Sequence, residues 1–281
     1  MKLKKGDLGI FIFSYIFVAI MMFLTVYPVF YTILGSFKTN MELTQGGRLF
    51  PATWQYQNYI TAFIMGDFSR YTMNSVIVCI SALVIATLTG SMAGFTLARR
   101  IFVGKNLILS LYVSMLFVAL GSVTLYPMYH LLRSLQLHRS MFGMILALVG
   151  GQASNVLLVM GFTRSIPREL DEAATIDGCS IYGIFFRIVF PLLKPILGVV
   201  ALFTFRSAWN EYIKALILSM GNNRIKTLTV AVVQLKYAAQ AAVEWHIMLA
   251  GASIAVIPIL LVYLFANKQF ISGLTAGSVK G

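Results

Sequence analysis

LGIFIFSYIFVAIMMFLTVYPVFYTILGSF, residues 8–37, contains no charged side chain. A helix needs about 20 consecutive apolar residues to cross the hydrocarbon core of a bilayer, and this stretch exceeds that length. It is also far longer than the roughly 7–15 apolar residues of a secretory signal. We therefore predict an uncleaved membrane helix here, kinked or ended near Pro28.

The remainder of the chain repeats this pattern. Charge interrupts only one of the later runs, in which Arg206, Glu211 and Lys214 occur. Together with the first stretch, these runs predict an all-α polytopic membrane protein with six transmembrane helices. The five later runs are Tyr71–Ala98, Asn106–Leu132, Ser140–Thr163, Pro195–Leu218 and Met248–Ala266.

The composition excludes most other classes of protein. Of the 281 residues, 59% are hydrophobic and 11% are charged, whereas a soluble domain carries about 25% charged residues. The large apolar and aromatic content excludes a disordered chain. The net charge is +13. We attribute it to Lys and Arg side chains that flank the helices and meet anionic lipid headgroups, and not to a nucleic-acid-binding surface.

Basic residues also predict the orientation in the membrane. Lys2, Lys4 and Lys5 precede the first run, and Arg99 and Arg100 end the second. Because Lys and Arg are enriched in cytoplasmic segments, we expect a cytoplasmic N-terminus. Six crossings then place the C-terminus on the same side.

Catalytic and metal-binding patterns are absent from the sequence. Cys79 and Cys179 lack the spacing of metal ligands, and the three histidines are scattered along the chain. The phosphate-binding loop G-x-x-x-x-G-K-[ST] is also absent, since Gly104-Lys105 lacks the upstream glycine. We therefore expect neither catalysis nor ATP hydrolysis by this chain.

The most informative hydrophilic segment is SIPRELDEAATIDGCSIYGIFFRIVFP, residues 165–191. Pro167 suits the first turn of a helix, the acidic residues after it complement the helix dipole, and Gly178 is typical of a helix C-terminus. This pattern predicts a short helix with an alanine face and an acidic edge, suited to docking on another protein. An ordinary surface loop capped by acids fits the same residues.

The segment resembles the coupling loop, or EAA loop, of ABC importer permeases. Glu172-Ala173-Ala174, Gly178, Ile188 and Phe190-Pro191 follow the family's pattern, with phenylalanine where the family usually has leucine before the proline. Trp209-Asn210-Glu211 and the C-terminal Gly273–Gly281 are similar to segments of the carbohydrate-importer branch, of the MalG type.

The resemblance implies the architecture of type I ABC importer permeases in the bacterial inner membrane. Besides membrane lipid, it implies three kinds of partner: a second homologous permease subunit, two cytoplasmic ATPase subunits and an extracytoplasmic solute-binding protein. ATP and Mg²⁺ would be bound by the ATPase subunits, and this chain would bind no cofactor or metal.

The resemblance also implies roles for particular regions. Residues 1–70 would form the first helix and an external loop, and residues 71–281 the permease core, with the coupling loop at 164–191 and a tail at 267–281. Contacts with the ATPase subunits would come from Glu169, Leu170, Glu172, Ala173, Ala174, Asp177 and Gly178 in the loop, and from Gly277, Ser278, Lys280 and Gly281 in the tail.

Polar side chains in the fifth run predict a substrate path. An ionisable residue within a membrane segment is functional by default, and Arg206 shares a helical face with Asn210, with Trp209 and Glu211 beside it. The family more often has an apolar residue at the position of Arg206, so the arginine suggests an acidic saccharide. A structural pair with Glu211, or a contact with a lipid headgroup, is the alternative.

Two other functions stay open. A homodimeric ABC importer permease for another solute would carry the same loop. An ion-coupled secondary transporter would need buried acidic residues, whereas the six runs contain only Glu211.

Overall fold

The computed structural model describes residues 5–118, 121–237 and 243–276, with side chains for residues 11–264 of these ranges. All regular structure in the described ranges is helical. The α-helices are, in chain order, α1 Lys5–Gly35, α2 Asn40–Gln45, α3 Gln57–Met65, α4 Phe68–Arg99, α5 Lys105–Phe117, α6 Leu125–Ser134, α7 Met141–Val149, α8 Ala153–Ser165, α9 Glu169–Ile176, α10 Ile181–Gly183, α11 Phe190–Leu192, α12 Lys194–Trp209, α13 Ile213–Ser219, α14 Leu228–Gln234 and α15 Trp245–Ala276.

Three of these helices are long and apolar enough to cross a membrane without interruption. They are α1 from Phe11, α4, and α15 as far as Leu264. Two bent pairs would raise the number to five: α7 meets α8 at 53°, and Ile181–Leu192 meets α12 at 79°. Helices α1 and α4 coincide with the first two predicted runs, and α1 continues through Pro28. Six crossings stay a prediction.

Two of the predicted runs are interrupted between separate helices. The run from Asn106 is divided into α5, which ends at Phe117, and α6, which begins at Leu125. In the run from Pro195, α12 ends at Trp209 and α13 begins at Ile213. At the start of α13 the Glu211 carboxylate accepts a hydrogen bond from Lys214 N at 3.0 Å. Hydropathy measures the transfer of side chains into lipid and does not report backbone continuity, so the expectation of unbroken helices is wrong here.

The fourth run is broken within the apolar sequence itself. Helix α7 ends at Val149 and α8 begins at Ala153, and between them Gly151 adopts a left-handed φ of 79°. Glycine takes this conformation without the steric penalty of a Cβ atom. The break therefore depends on the glycine at position 151.

The chain divides into two compact units, Met1–Ser69 with Ala231–Ile257, and Arg70–Val230 with Pro258–Gly281. In the first unit, a capping box begins α2, where Glu42 Oε2 accepts a hydrogen bond from Thr39 N at 2.9 Å. Glu42 Oε1 accepts another from Ala52 N at 2.9 Å. These backbone donors favour the ionised carboxylate, so they lower the pKa of Glu42.

In the second unit, one hydrophobic cluster joins four helices. Phe95 of α4, Val159 of α8, Ala174 of α9 and Val199 of α12 are all buried in it. Phe185, from the π-helical turn Ile184–Val189 between α10 and α11, packs in the same cluster and lies 5.3 Å from the Phe95 ring. Helix α9 is therefore packed into the core that α4, α8 and α12 share.

The contact between α4 and α8 requires a glycine at position 94. A Cβ atom there would lie 2.8 Å from Val159 Cβ and 2.9 Å from Met160 N. We expect Gly94→Ala to destabilise the purified protein by roughly 1–3 kcal/mol through overpacking, measured as a lower thermal unfolding temperature in detergent. Gly90→Ala is the matched control, because the nearest atom to its Cβ would be Asn155 Cβ at 3.8 Å. Equal losses of stability in both variants would contradict this packing.

Candidate functional site

Helix α9 has both of its ends specified by local sequence. Its first turn carries Glu169, Asp171 and Glu172, whose negative charges complement the helix dipole. At the other end Gly178 has a φ of 80°, Gly178 N donates to Thr175 O at 3.1 Å, and Cys179 N donates to Ala174 O at 2.9 Å. These two hydrogen bonds form a Schellman motif, which requires a left-handed residue that glycine provides best.

An ion pair fixes α9 to the end of α4. Arg99 Nε lies 2.9 Å from Asp171 Oδ2, and the two side chains are only 6% and 19% exposed. Arg99 Nη2 also donates to the carbonyl of Ile166 at 2.8 Å. One of the acidic residues of α9 therefore faces the protein and holds the helix in place. The sequence suggested only a topological role for Arg99, because the pairing joins residues far apart in the chain.

The two alanines of the loop lie on different faces of α9. Ala174 is 5% exposed and belongs to the shared hydrophobic cluster, whereas Ala173 is exposed. The expectation of a single alanine face is therefore wrong. The exposed surface, here called the outer face of α9, combines acidic and apolar side chains and consists of Glu169, Leu170, Glu172, Ala173, Ile176 and Asp177, beside the exposed Gly178.

The outer face has the composition of a docking surface. Leu170 is 41% exposed and Ile176 is 86% exposed. Within the part of the chain that the structure describes, the Glu172 carboxylate makes no hydrogen bond or ion pair. A rigid helix with exposed apolar and unpaired acidic groups can bind a complementary groove that is apolar and basic.

The Arg99–Asp171 pair gives a test of how firmly α9 is held. We expect Arg99→Ala to destabilise the protein by about 3 kcal/mol, because it leaves a partly buried carboxylate without its partner. Asp171→Ala in the same background should restore part of that loss, so the two effects on unfolding free energy will not add. The Glu211–Lys214 pair, at 3.9 Å and more exposed, should show much weaker coupling. Additive losses at Arg99 and Asp171 would contradict the pairing.

A second candidate site is a polar cavity in the second unit. The break between α7 and α8 borders it, and its volume is about 850 Å³. The lining includes Arg206, Asn210 and Glu211, which were predicted as path residues, together with Gln152, Asn155 and Thr204, which were not. The glycine pair within an apolar run was the one sequence signal that could have located this break.

The predicted path residues are only partly brought together. Arg206 and Asn210 are exposed to the cavity. Trp209 is 4% exposed, stacks on Phe205 at 5.5 Å and lines a separate apolar cavity of about 550 Å³. The structure therefore does not place Trp209 as an aromatic wall beside Arg206.

Of the two charged side chains that line the cavity, Glu211 has an ion-pair partner and Arg206 has no carboxylate partner among the described residues. Glu211 Oε2 lies 3.9 Å from Lys214 Nζ, and its other carboxylate oxygen accepts from Lys214 N. Among the described residues, no carboxylate lies within ion-pairing distance of Arg206. The structural pair between Arg206 and Glu211 is thus not formed, and the guanidinium is available to an anionic group in the cavity.

Two further expectations concern the tail and metal binding. Helix α15 continues to Ala276, so residues 267–276 of the predicted tail are helical. The expected contacts Gly277, Ser278, Lys280 and Gly281 lie outside the described residues. Within the described ranges, no group of three His, Cys, Asp or Glu side chains is placed to hold a metal ion.

The chain is similar to several characterised transport proteins. No protein-family model matches it. It is 31% identical to the probable ABC transporter permease protein YurM of Bacillus subtilis over 277 residues, 98% of this chain and 89% of that protein. It is 32% identical to the arabinooligosaccharides transport system permease protein AraQ of Halalkalibacterium halodurans, covering 94% of each.

A solved structure has the same fold. A chain of a bacterial ABC transporter involved in the import of the acidic polysaccharide alginate matches with a TM-score of 0.80 and 20% identity, over 96% of this chain and 99% of that one. The sequence identity to the permeases, over nearly their whole length, decides the family. The chain belongs to the carbohydrate ABC transporter permeases.

Proposed function

We propose that this chain is the transmembrane permease subunit of an ATP-driven, binding-protein-dependent importer of oligosaccharides, in which it forms half of the translocation path. The observation that carries the proposal is the construction of α9. Its inner face is fixed by the Arg99–Asp171 pair and by Ala174, while its outer face is free to bind a partner.

In this proposal the outer face of α9 docks into a groove of a cytoplasmic ATPase subunit. Glu172 pairs with a basic residue of that groove, while Leu170 and Ile176 contribute apolar contacts. Because α9 shares its hydrophobic cluster with α4, α8 and α12, a displacement of α9 is transmitted to these helices as a rigid-body movement. Closure of the ATPase pair then switches access to the path from one side to the other.

The remaining subunits follow from the same proposal. ATP and Mg²⁺ are bound by two ATPase subunits, and a second homologous permease subunit completes the path. An extracytoplasmic solute-binding protein delivers the saccharide. The chain crosses the inner membrane six times with both termini in the cytoplasm, and residues 277–281 provide a second contact with the ATPase subunits. The resemblance of the loop and the apolar helices support this arrangement.

The cavity supports an acidic saccharide as the cargo. The Arg206 guanidinium has no carboxylate partner among the described residues and lines the same cavity as several amide and hydroxyl side chains. A uronate carboxylate would supply the missing negative charge through a charge-assisted hydrogen bond. The amides and hydroxyls are suited to the neutral part of the sugar.

Purification of the tagged chain from its native membranes tests the assembly. We expect co-elution of one different permease and of an ATPase that carries a G-x-x-x-x-G-K-[ST] loop. In proteoliposomes, this complex should take up oligosaccharides when ATP is enclosed and the binding protein is outside. A complex with a single kind of permease would support the homodimeric alternative. Uptake driven by an ion gradient without any ATPase would overturn the proposal.

A further inference from the structure

We infer that Gln152, Asn155 and Thr204 form a subsite for saccharide hydroxyl groups, located at the break between α7 and α8. The inference rests on the proposed function. By this inference, the neutral part of the sugar is recognised by this chain and not by a partner permease alone. This recognition is separate from that of any charge by Arg206.

The three side chains form one hydrogen-bonded network between α8 and α12. Asn155 Nδ2 donates to Gln152 Oε1 at 2.6 Å and to Thr204 Oγ1 at 3.2 Å. An amide nitrogen carries two hydrogens, so both donors of Asn155 are used within the protein. The orientation of the Asn155 amide is therefore fixed by two partners on two different elements.

This network leaves complementary groups directed to the cavity. Within the described residues, Asn155 Oδ1 accepts no hydrogen bond and Gln152 Nε2 donates none. Both residues line the cavity and are half-buried. One carbonyl acceptor and one amide donor are thus left without a protein partner on two residues that line the same cavity, where either water or a ligand can satisfy them.

The side chain of Gln152 is not used to cap its own helix. The residue occupies the N-cap position of α8 but makes no capping hydrogen bond with its side chain. N-cap side chains normally satisfy the free N–H groups of their own helix. Here the Gln152 side chain is used to hold Asn155 instead, and the left-handed Gly151 allows the turn that brings it there.

A free acceptor and a free donor in one cavity match the chemistry of a sugar. Each hydroxyl group of a saccharide is both a donor and an acceptor, so two neighbouring hydroxyls can bind an amide pair with two hydrogen bonds. Because the Asn155 orientation is fixed before binding, little conformational entropy is lost when the ligand arrives. A site built in this way discriminates against an analogue that lacks the recognised hydroxyl.

The test uses the assembled transporter with its binding protein in proteoliposomes. Uptake is measured for a panel of neutral and uronate di- and trisaccharides, and then for monodeoxy analogues of the one transported best. Asn155→Leu and Thr204→Val should each raise KM by about tenfold, the effect of one or two lost neutral hydrogen bonds. Both variants should also lose the preference of the unaltered protein for the parent sugar over one monodeoxy analogue.

Thr96→Val is the matched control. The Thr96 hydroxyl lies outside the cavity lining and bonds to Met92 O of its own helix at 2.8 Å, so this variant should keep both KM and the preference. If Asn155→Leu fails to assemble, Thr204→Val decides, since it changes little volume and removes one of the two acceptors that orient Asn155.

The outcomes separate this inference from the proposed function. If the unaltered complex transports a saccharide while Asn155→Leu or Thr204→Val retains KM and the preference, the subsite is wrong and the function stands. If the unaltered complex transports no saccharide of the panel, the proposed function fails and the subsite fails with it.

Discussion

Reversing the charge of Glu172, by Glu172→Arg, is expected to reduce ATP-driven uptake by at least about 30-fold. In the proposed complex, Glu172 pairs with a basic residue in the groove of an ATPase subunit. Placing arginine opposite that residue replaces attraction with repulsion in a contact shielded from water, and such changes at interfaces cost about 2–5 kcal/mol. Because about 1.4 kcal/mol corresponds to a factor of ten, the lost docking energy is sufficient for this effect.

The stability of the chain itself provides the control. Glu172 is exposed and unpaired within the described residues, so the substitution should lower the unfolding free energy by no more than about 1–2 kcal/mol, the cost of reversing a charge in the first turn of α9. Glu172→Gln removes the charge without reversing it and should cause a smaller loss of uptake. Co-purification of the ATPase subunits, measured beside uptake, should fall in the same order. Normal uptake by Glu172→Arg would exclude the proposed docking.

Replacing Arg206 with alanine is expected to reduce uptake of uronate oligosaccharides by roughly 10- to 100-fold. A hydrogen bond to a charged group contributes about 1.5–3 kcal/mol, and the guanidinium lines the polar cavity without a carboxylate partner among the described residues. Uptake of neutral oligosaccharides of the same length should change by no more than a few-fold, since they carry no carboxylate for the guanidinium to bind.

Lys105→Ala is the matched control for Arg206→Ala. It also removes one positive charge, but Lys105 does not belong to the cavity lining, and its Nζ donates to Arg100 O at 2.8 Å. It should affect uronate and neutral sugars equally and only slightly. If Arg206→Ala lowers the uptake of both classes by the same factor, Arg206 is not a determinant of acidic cargo.

The membrane character of the chain could be predicted from sequence because it depends on composition over long windows. Helices α1 and α4 follow the first two charge-free runs within a few residues. The broken helices could not be predicted in the same way. A run such as Ser140–Thr163 is free of charge on both sides of its break, and the left-handed backbone at Gly151 distinguishes one helix from two.

In the coupling loop, some features are set by neighbouring residues in the sequence and others by residues far away in the chain. The start of α9 after Pro167 and its end at Gly178 follow from residues within the helix and next to it. Its rotation about its own axis is set by distant partners. The Arg99–Asp171 pair and the cluster around Ala174 turn one alanine inward and leave Ala173 outside, which no pattern within the loop specifies.

The measurement that tests the central claim most directly compares these two alanines by cross-linking. Single cysteines are introduced as Ala173→Cys and Ala174→Cys, with Cys79 and Cys179 replaced by serine. They are labelled with a thiol-reactive photocrosslinker in the purified permease, before the ATPase subunits are added. The proposal predicts that Ala173→Cys is labelled and cross-links to an ATPase subunit on illumination, whereas the buried Ala174→Cys is not labelled. Labelling of Ala173→Cys without any product that contains an ATPase subunit would contradict the claim that the outer face of α9 couples this permease to its ATPases.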